Sequence, residues 1–189
     1  SRNVQRATWA RKLSMVRQFA RWLNVIEPRH QVPPPRLLNV RPRRNKPHIY
    51  SDQEIAWLMA AAAALKSPRG MKGLTLGTLI GLLATTGLRP GEAGALENQD
   101  VDFDAGVLVI RESKFGKSRL VPVHKSVVTA LEKYVRERNR IFPFPCCSAF
   151  LVSDCGTPLD LSVVRRWFCK VSISCGLRKG PEGKRCGRG

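Results

Sequence analysis

The spacing of apolar residues in the first 24 positions predicts an amphipathic helix over residues 5–24. Placed at about 100° per residue, five apolar side chains fall on one arc: Trp9, Leu13, Val16, Ala20 and Leu23. Three arginines follow one flank of that arc: Arg6, Arg17 and Arg21. The pattern indicates a helix with an apolar face and a basic edge.

A proline-rich stretch follows and interrupts any regular pattern. Residues 28–48 contain Pro28, Pro33, Pro34, Pro35, Pro42 and Pro47. Proline removes a backbone donor and fixes φ, so this stretch cannot be helical and is predicted to be an extended linker. The same stretch contains a basic cluster, namely Arg41, Arg43, Arg44 and Lys46.

The apolar pattern from residue 49 onward predicts a domain that is mainly α with a small antiparallel β-sheet. Ser51 and Glu54 have the spacing of a capping box that opens a helix, and a nearly all-apolar helix over about 72–85 is expected at the centre of the core. Strands are predicted around 107–110 and 120–123, and a short one at 150–152. Further helices are predicted over 127–140 and 161–174.

Charge is concentrated at the two ends of the 189-residue chain, which carries 33 Lys and Arg against 14 Asp and Glu. Residues 1–50 hold twelve basic side chains and one acidic one, and residues 165–189 hold eight and one. Basic arms around a near-neutral middle favour a polyanion partner such as double-stranded DNA, although basic ends that only maintain solubility remain an alternative. No apolar run reaches the roughly 18 residues that span a bilayer, so no membrane partner is expected.

All six cysteines lie in the last 44 residues, and no Cys-x-x-Cys pair is present. Structural zinc sites usually have more closely spaced ligand pairs. We therefore expect reduced thiols, no metal and no cofactor, with a metal site or a redox pair as the alternatives.

The segment Thr86-Gly87-Leu88-Arg89-Pro90-Gly91-Glu92 places an arginine between the end of one predicted helix and the start of the next. A guanidinium held there could clamp a phosphate through two parallel hydrogen bonds, and Glu92 could brace it. The alternative is a purely structural Arg–Glu pair. A basic turn that contains Lys114 follows about 25 residues later.

Together with these residues, the segments TGLRPGEAGAL, NQDVDF, LVIRESKFGKSRLVPVH and FLVSDCGTPLD resemble the catalytic domain of the tyrosine recombinase (phage integrase) family over about residues 49–178. The resemblance implies that Arg89 binds the scissile phosphate, that Lys114 protonates the leaving 5′ hydroxyl, and that Glu92 supports the arginine. Lys117 and Arg119 are expected either to contact phosphates or to belong to a solvated turn.

The resemblance also implies a domain order and partners. Residues 1–27 resemble the last helix of the family's core-binding domain, 28–48 a basic linker, and 49–189 part of the catalytic domain. We expect double-stranded DNA as the partner, contacted also by Arg17, Arg21, Arg41, Arg43, Arg44 and Lys46, with other recombinase protomers in a synaptic complex. A cytoplasmic, nucleoid-associated location follows from that expectation.

The sequence departs from the family pattern in its last part. No His-x-x-Arg motif and no tyrosine at the place of the family's nucleophile are present, and Tyr50 and Tyr134 are interpreted as packing residues. We therefore expect a truncated form that binds DNA without cleaving it. One alternative is a non-catalytic DNA-binding relic of an integrase, and the reading frame after Gly189 would distinguish such a relic from a fragment of an enzyme. Another alternative is a basic RNA-binding protein.

Overall fold

A computed structural model of the chain describes residues 2–35, 37–38, 47–113 and 117–178. The elements are α1 (Arg2–Ile26), α2 (Asp52–Ala63), α3 (Met71–Thr86), α4 (Pro90–Gly94), a 3-10 turn (Asn98–Asp100), β1 (Val101–Asp102), β2 (Val107–Ser113), β3 (Lys117–Pro122), α5 (Lys125–Ile141) and α6 (Leu161–Ser174). The chain divides into two compact units, Ser1–Ile49 and Tyr50–Gly189.

The second unit is built around α3, as its nearly continuous apolar sequence predicts. Helix α3 contacts α2, α4, α5 and α6, and Leu76, Leu79 and Leu82 on it are almost completely buried. Burying a leucine side chain contributes roughly 1.5–3 kcal/mol. The predicted fold class, mainly helical with a small antiparallel sheet, is confirmed.

Short-range hydrogen bonds fix where α2 begins, and a glycine fixes where α3 ends. The Ser51 hydroxyl accepts from the Glu54 N–H at 3.2 Å, and the Glu54 carboxylate accepts from the Ser51 N–H at 2.8 Å, so the predicted capping box is present. Gly87 ends α3 with φ at 65°, a left-handed conformation that favours glycine.

The sheet has the strand order β1-β2-β3, and both pairs are antiparallel. The two predicted long strands are present, and the structure adds β1, whose two residues are too few for any alternation to show. The strand predicted at 150–152 does not form. Two isolated bridges take its place, Glu97 to Ala149 and Val152 to Pro158.

The first unit consists of α1 and the chain that follows it. Asn24 Nδ2 donates to the carbonyl oxygens of Pro28 and His30 at 3.2 and 2.7 Å. Arg17, two turns earlier in α1, donates to the Pro33 and Pro34 carbonyl oxygens, so the described part of the proline-rich stretch runs back along the helix, whereas its composition predicted only an extended path. Several large apolar side chains of α1 are exposed, including Trp9, Phe19 and Trp22.

Candidate functional site

Arg89 lies at the junction between α3 and α4 and is fixed from both sides. Gly87 turns the chain out of α3, and Leu88, only 5% exposed, anchors the junction in the core. Arg89 is the N-cap of α4 with extended backbone, and Pro90 occupies the first helical position, where its fixed φ suits a helix start. The backbone of Arg89 is thus held rigidly.

Glu92, one turn into α4, is the acceptor at the centre of the site. Its carboxylate accepts from the Arg89 backbone N–H at 3.0 Å and from Arg89 Nη1 at 3.0 Å. It also accepts from Arg119 Nη1 at 3.1 Å and from Arg119 Nη2 at 2.8 Å. The hydrogen bonds from Arg119, followed by the one from the Arg89 backbone, lower the pKa of Glu92 to about 2, so this carboxylate is charged at neutral pH.

The two arginines of the site differ in how they use their donors. Arg119 places both terminal nitrogens on Glu92, whereas Arg89 places only Nη1 there. Within the described ranges, Nε and Nη2 of Arg89 have no hydrogen-bond partner, and this side chain is 63% exposed. Two guanidinium groups and one carboxylate leave one positive charge in excess, facing solvent through Arg89.

The register of the sheet brings Arg119 to this site. Arg119 lies directly opposite Ile110, and residues opposite each other share a face of the sheet. Ile110 is only 2% exposed, whereas Leu120, the next residue on β3, is 68% exposed. Arg119 therefore belongs to strand β3 and shares the face of the sheet that carries Ile110, beside α4, with 41% of its side chain exposed.

The other residues predicted for the site lie on strand β3, outside the described residues, or in the first unit. Lys117 begins β3, and Lys114 lies outside the described residues, as do Arg41, Arg43, Arg44 and Lys46. In the first unit, Arg21 is exposed. Arg17 donates from Nε to the Pro33 carbonyl at 3.0 Å and from Nη2 to the Pro34 carbonyl at 2.7 Å. Two nitrogens of its guanidinium therefore hold the proline-rich stretch against α1.

Two cavities flank α4. An apolar one of about 500 Å³ is lined by α2, α3 and α6 and reaches Pro90, the neighbour of Arg89. A polar one of about 560 Å³ is lined by Glu92, Asp100 and Arg111, among others. Arg111 Nε lies 2.6 Å from the Asp100 carboxylate. No local spacing in the sequence indicated this second pair between a strand arginine and a carboxylate.

Tyr134 is packed in the core, as predicted from its mid-helix position. It is 1% exposed, and its hydroxyl accepts from the Val152 N–H at 3.0 Å and lies 3.3 Å from the Thr75 hydroxyl. Burial raises the pKa of Tyr134. A buried, neutral and hydrogen-bonded phenol cannot reach a DNA phosphate in this conformation.

The described residues show no metal-binding cluster of three or more His, Cys, Asp or Glu side chains. The five cysteines among them are free thiols. In the same part of the chain, no helix combines the length and the hydropathy needed to cross a membrane.

Comparison with known sequences finds one family over most of the second unit. The model of the phage integrase family matches residues 50–182. A Sinorhizobium fredii protein named as an integrase/recombinase, y4rB, is 42% identical over 179 residues, which cover 93% of this chain and 57% of that protein. Tyrosine recombinase XerD of Caulobacter vibrioides is 33% identical over 143 residues, covering 76% of this chain and 46% of that protein. The chain spans about half the length of the curated relatives it matches.

Solved structures of similar fold come from the same class of proteins. A lambda integrase tetramer bound to a Holliday junction superposes with a TM-score of 0.65 at 16% identity, covering 88% of this chain and 47% of that one. XerA recombinase superposes with a TM-score of 0.57 at 24% identity, covering 71% and 46%. The helical arrangement with its small antiparallel sheet is thus the fold of these recombinases.

Proposed function

This chain belongs to the phage integrase family of tyrosine recombinases, and from that membership we propose that it binds duplex DNA and holds one backbone phosphate through Arg89. In the complete enzyme this part would serve site-specific recombination, the breakage and rejoining of DNA strands. The observation that carries the proposal is the exposed guanidinium of Arg89, whose backbone caps α4 and whose Nη1 donates to a charged Glu92.

The chemistry assigned to the residues follows from the family. An attacking oxygen forms a bond to phosphorus while the bond to the 5′ oxygen breaks, and negative charge grows on the phosphate oxygens. Free donors on Arg89 can stabilise that charge. By resemblance, Lys114 would give its proton to the leaving 5′ oxygen, and Lys117 would contact a neighbouring phosphate.

Partners are proposed from charge and from the solved relatives. XerH recombinase has been solved with its difH substrate, and lambda integrase as a tetramer on a Holliday junction. Duplex DNA and further protomers therefore suit this chain as well. The basic residues Arg17, Arg21, Arg41, Arg43, Arg44 and Lys46 would add phosphate contacts, and a chain bound to DNA in this way would be associated with the nucleoid.

We further propose that this 189-residue chain binds without cleaving, because Tyr134 is buried and Tyr50, the first residue of the second unit, packs edge-on against the Phe168 ring. The test is incubation with a nicked DNA substrate that traps covalent intermediates, followed by denaturing electrophoresis. DNA binding with no covalent adduct is expected. An adduct would identify a nucleophile other than the buried phenol, and the absence of any binding would remove the DNA proposal.

Arg89→Gln isolates the contribution of the phosphate ligand to binding. The loss of one charge-assisted contact should weaken DNA binding by about tenfold. Arg140→Gln is the matched control, since Arg140 is also exposed and also pairs with a glutamate three residues away, Glu137, at 2.8 Å. Equal losses in the two variants would show that Arg89 contributes only general charge.

A further inference from the structure

Two guanidinium groups compete for one carboxylate at the start of α4. Arg119 holds Glu92 by two parallel hydrogen bonds of 3.1 and 2.8 Å, one to each oxygen. Arg89 holds it by one side-chain hydrogen bond of 3.0 Å. The paired arrangement is the strongest geometry for an arginine and a carboxylate, and here the arginine of the sheet occupies it.

We propose that Arg119 is a positioning residue for the phosphate site: by holding both oxygens of Glu92, it prevents Arg89 from folding onto that carboxylate and keeps Nε and Nη2 of Arg89 available for a DNA phosphate. The inference rests on the proposed function, in which Arg89 is the phosphate ligand. It assigns Arg119 a role different from direct contact with DNA.

The surroundings of Glu92 support this division of roles. The neighbouring carboxylates have their own partners, since Asp100 pairs with Arg111 and Glu97 accepts from Ser148 at 2.8 Å. The Glu92 side chain is only 8% exposed. A phosphate that displaced it from Arg119 would leave a largely buried carboxylate with fewer partners, which is costly.

The same ion pair joins two elements that carry the proposed chemistry. Glu92 and Arg119 are 27 positions apart in sequence and connect α4 to β3. Strand β3 begins at Lys117, directly after the segment that contains Lys114. Arg119 therefore also holds the base of the hairpin beside the helix that begins after Arg89.

A double-mutant cycle on duplex DNA binding separates positioning from direct contact. Arg89→Gln and Arg119→Gln should each weaken binding by about tenfold, and the double variant should be no weaker than Arg89→Gln alone, because Arg119 acts through Arg89. Losses that multiply to about a hundredfold would overturn the positioning role. An unchanged affinity in Arg89→Gln alone would instead overturn the proposed function, and the inference with it.

The Nε–Hε signal of Arg89 in ¹⁵N NMR spectra reports the phosphate contact directly. Added DNA duplex should shift this signal in the wild type, much less in Arg119→Gln, and to an intermediate extent in Arg119→Lys, which keeps the charge but cannot span both oxygens. Arg111→Gln is the control, because it removes another strand arginine from a buried carboxylate and should leave the Arg89 response intact. An Arg89 response that is equal in all variants would overturn the inference, even if Arg119→Gln were less stable.

Discussion

At the scale of single residues, Glu92 is an unusually strong acid although its side chain is largely buried. Its pKa lies near 2, against an ordinary value of 4.5, because Arg119 and the Arg89 backbone donate to the charged form. A carboxylate whose pKa is lowered by folding stabilises the folded state above its unfolded pKa. That stabilisation is lost as the pH falls through the folded pKa.

Glu92→Gln should therefore be less stable than the wild type at neutral pH, and the difference should shrink as the pH falls from about 4.5 towards 2. Urea unfolding of both proteins between those pH values measures the change. The wild type at pH 6 to 7 provides the reference, since no titration of this group occurs there. A stability difference that stays constant over the acid range would mean that Glu92 is not held in its charged form by the two arginines.

Residues on β3 also show that polarity alone does not decide which side chain faces inward. Charged Arg119 lies on the inner face opposite buried Ile110, while apolar Leu120 is exposed. Arg119 pairs there with the largely buried carboxylate of Glu92 on α4, at 2.8 Å from Nη2. The Arg119 side chain nevertheless keeps 41% of its surface exposed.

At the scale of elements, α2 and α3 form an antiparallel pair whose close approach depends on glycine. A side chain at Gly73 would place its Cβ 2.7 Å from the Ala62 carbonyl oxygen, a backbone atom at the end of α2. At Gly77, one turn later, the nearest atom is the Met59 carbonyl oxygen at 3.9 Å. The two helices therefore touch at the first position and leave space at the second.

Gly73→Ala should destabilise the protein by roughly 1–3 kcal/mol, because the backbone of one helix must move. Gly77→Ala is the matched control and should raise stability by up to about 1 kcal/mol, since alanine favours helix over glycine and fits the space. Urea denaturation of the two variants measures both effects. If Gly73→Ala were as stable as Gly77→Ala, the helices would not be in contact at that position.

At the scale of the whole molecule, charge and fold are separated along the chain. The core is formed by side chains between residues 58 and 171, whereas the excess of positive charge belongs to residues 1–50 and 165–189. The near-neutral middle of the sequence therefore supplies most of the packed core, and most of the excess positive charge lies outside it. This distribution favours a large electrostatic share in DNA binding.

Duplex DNA affinity should fall by about 10³ to 10⁵-fold between roughly 50 and 200 mM salt, the loss expected for six to ten phosphate contacts. Fluorescence anisotropy at several salt concentrations gives the slope of log K against log salt. Arg140→Gln and Arg89→Gln, compared at each concentration, separate general charge from the site. Affinity that is independent of salt would exclude binding through the basic arms.

The amino-acid sequence by itself determined the features that depend on residues close together in the chain. Four such features rest on contacts or conformations within a few residues: the capping box at Ser51, the left-handed backbone conformation of Gly87 that ends α3, the central apolar helix, and the placement of Arg89 before Pro90. Such interactions form wherever the local sequence allows them, so their spacing predicts them. The family motifs around Arg89 and the hairpin could be identified for the same reason.

Only the tertiary structure decided which distant groups meet. The two hydrogen bonds from Arg119 to Glu92 join residues 27 positions apart, and the buried hydroxyl of Tyr134 lies against residues 18 and 59 positions away. These contacts depend on the strand register and on how α4 and α5 pack, which no local spacing records. The division of roles between Arg89 and Arg119 therefore follows from packing, because a shared carboxylate is satisfied by whichever guanidinium the fold brings to both of its oxygens.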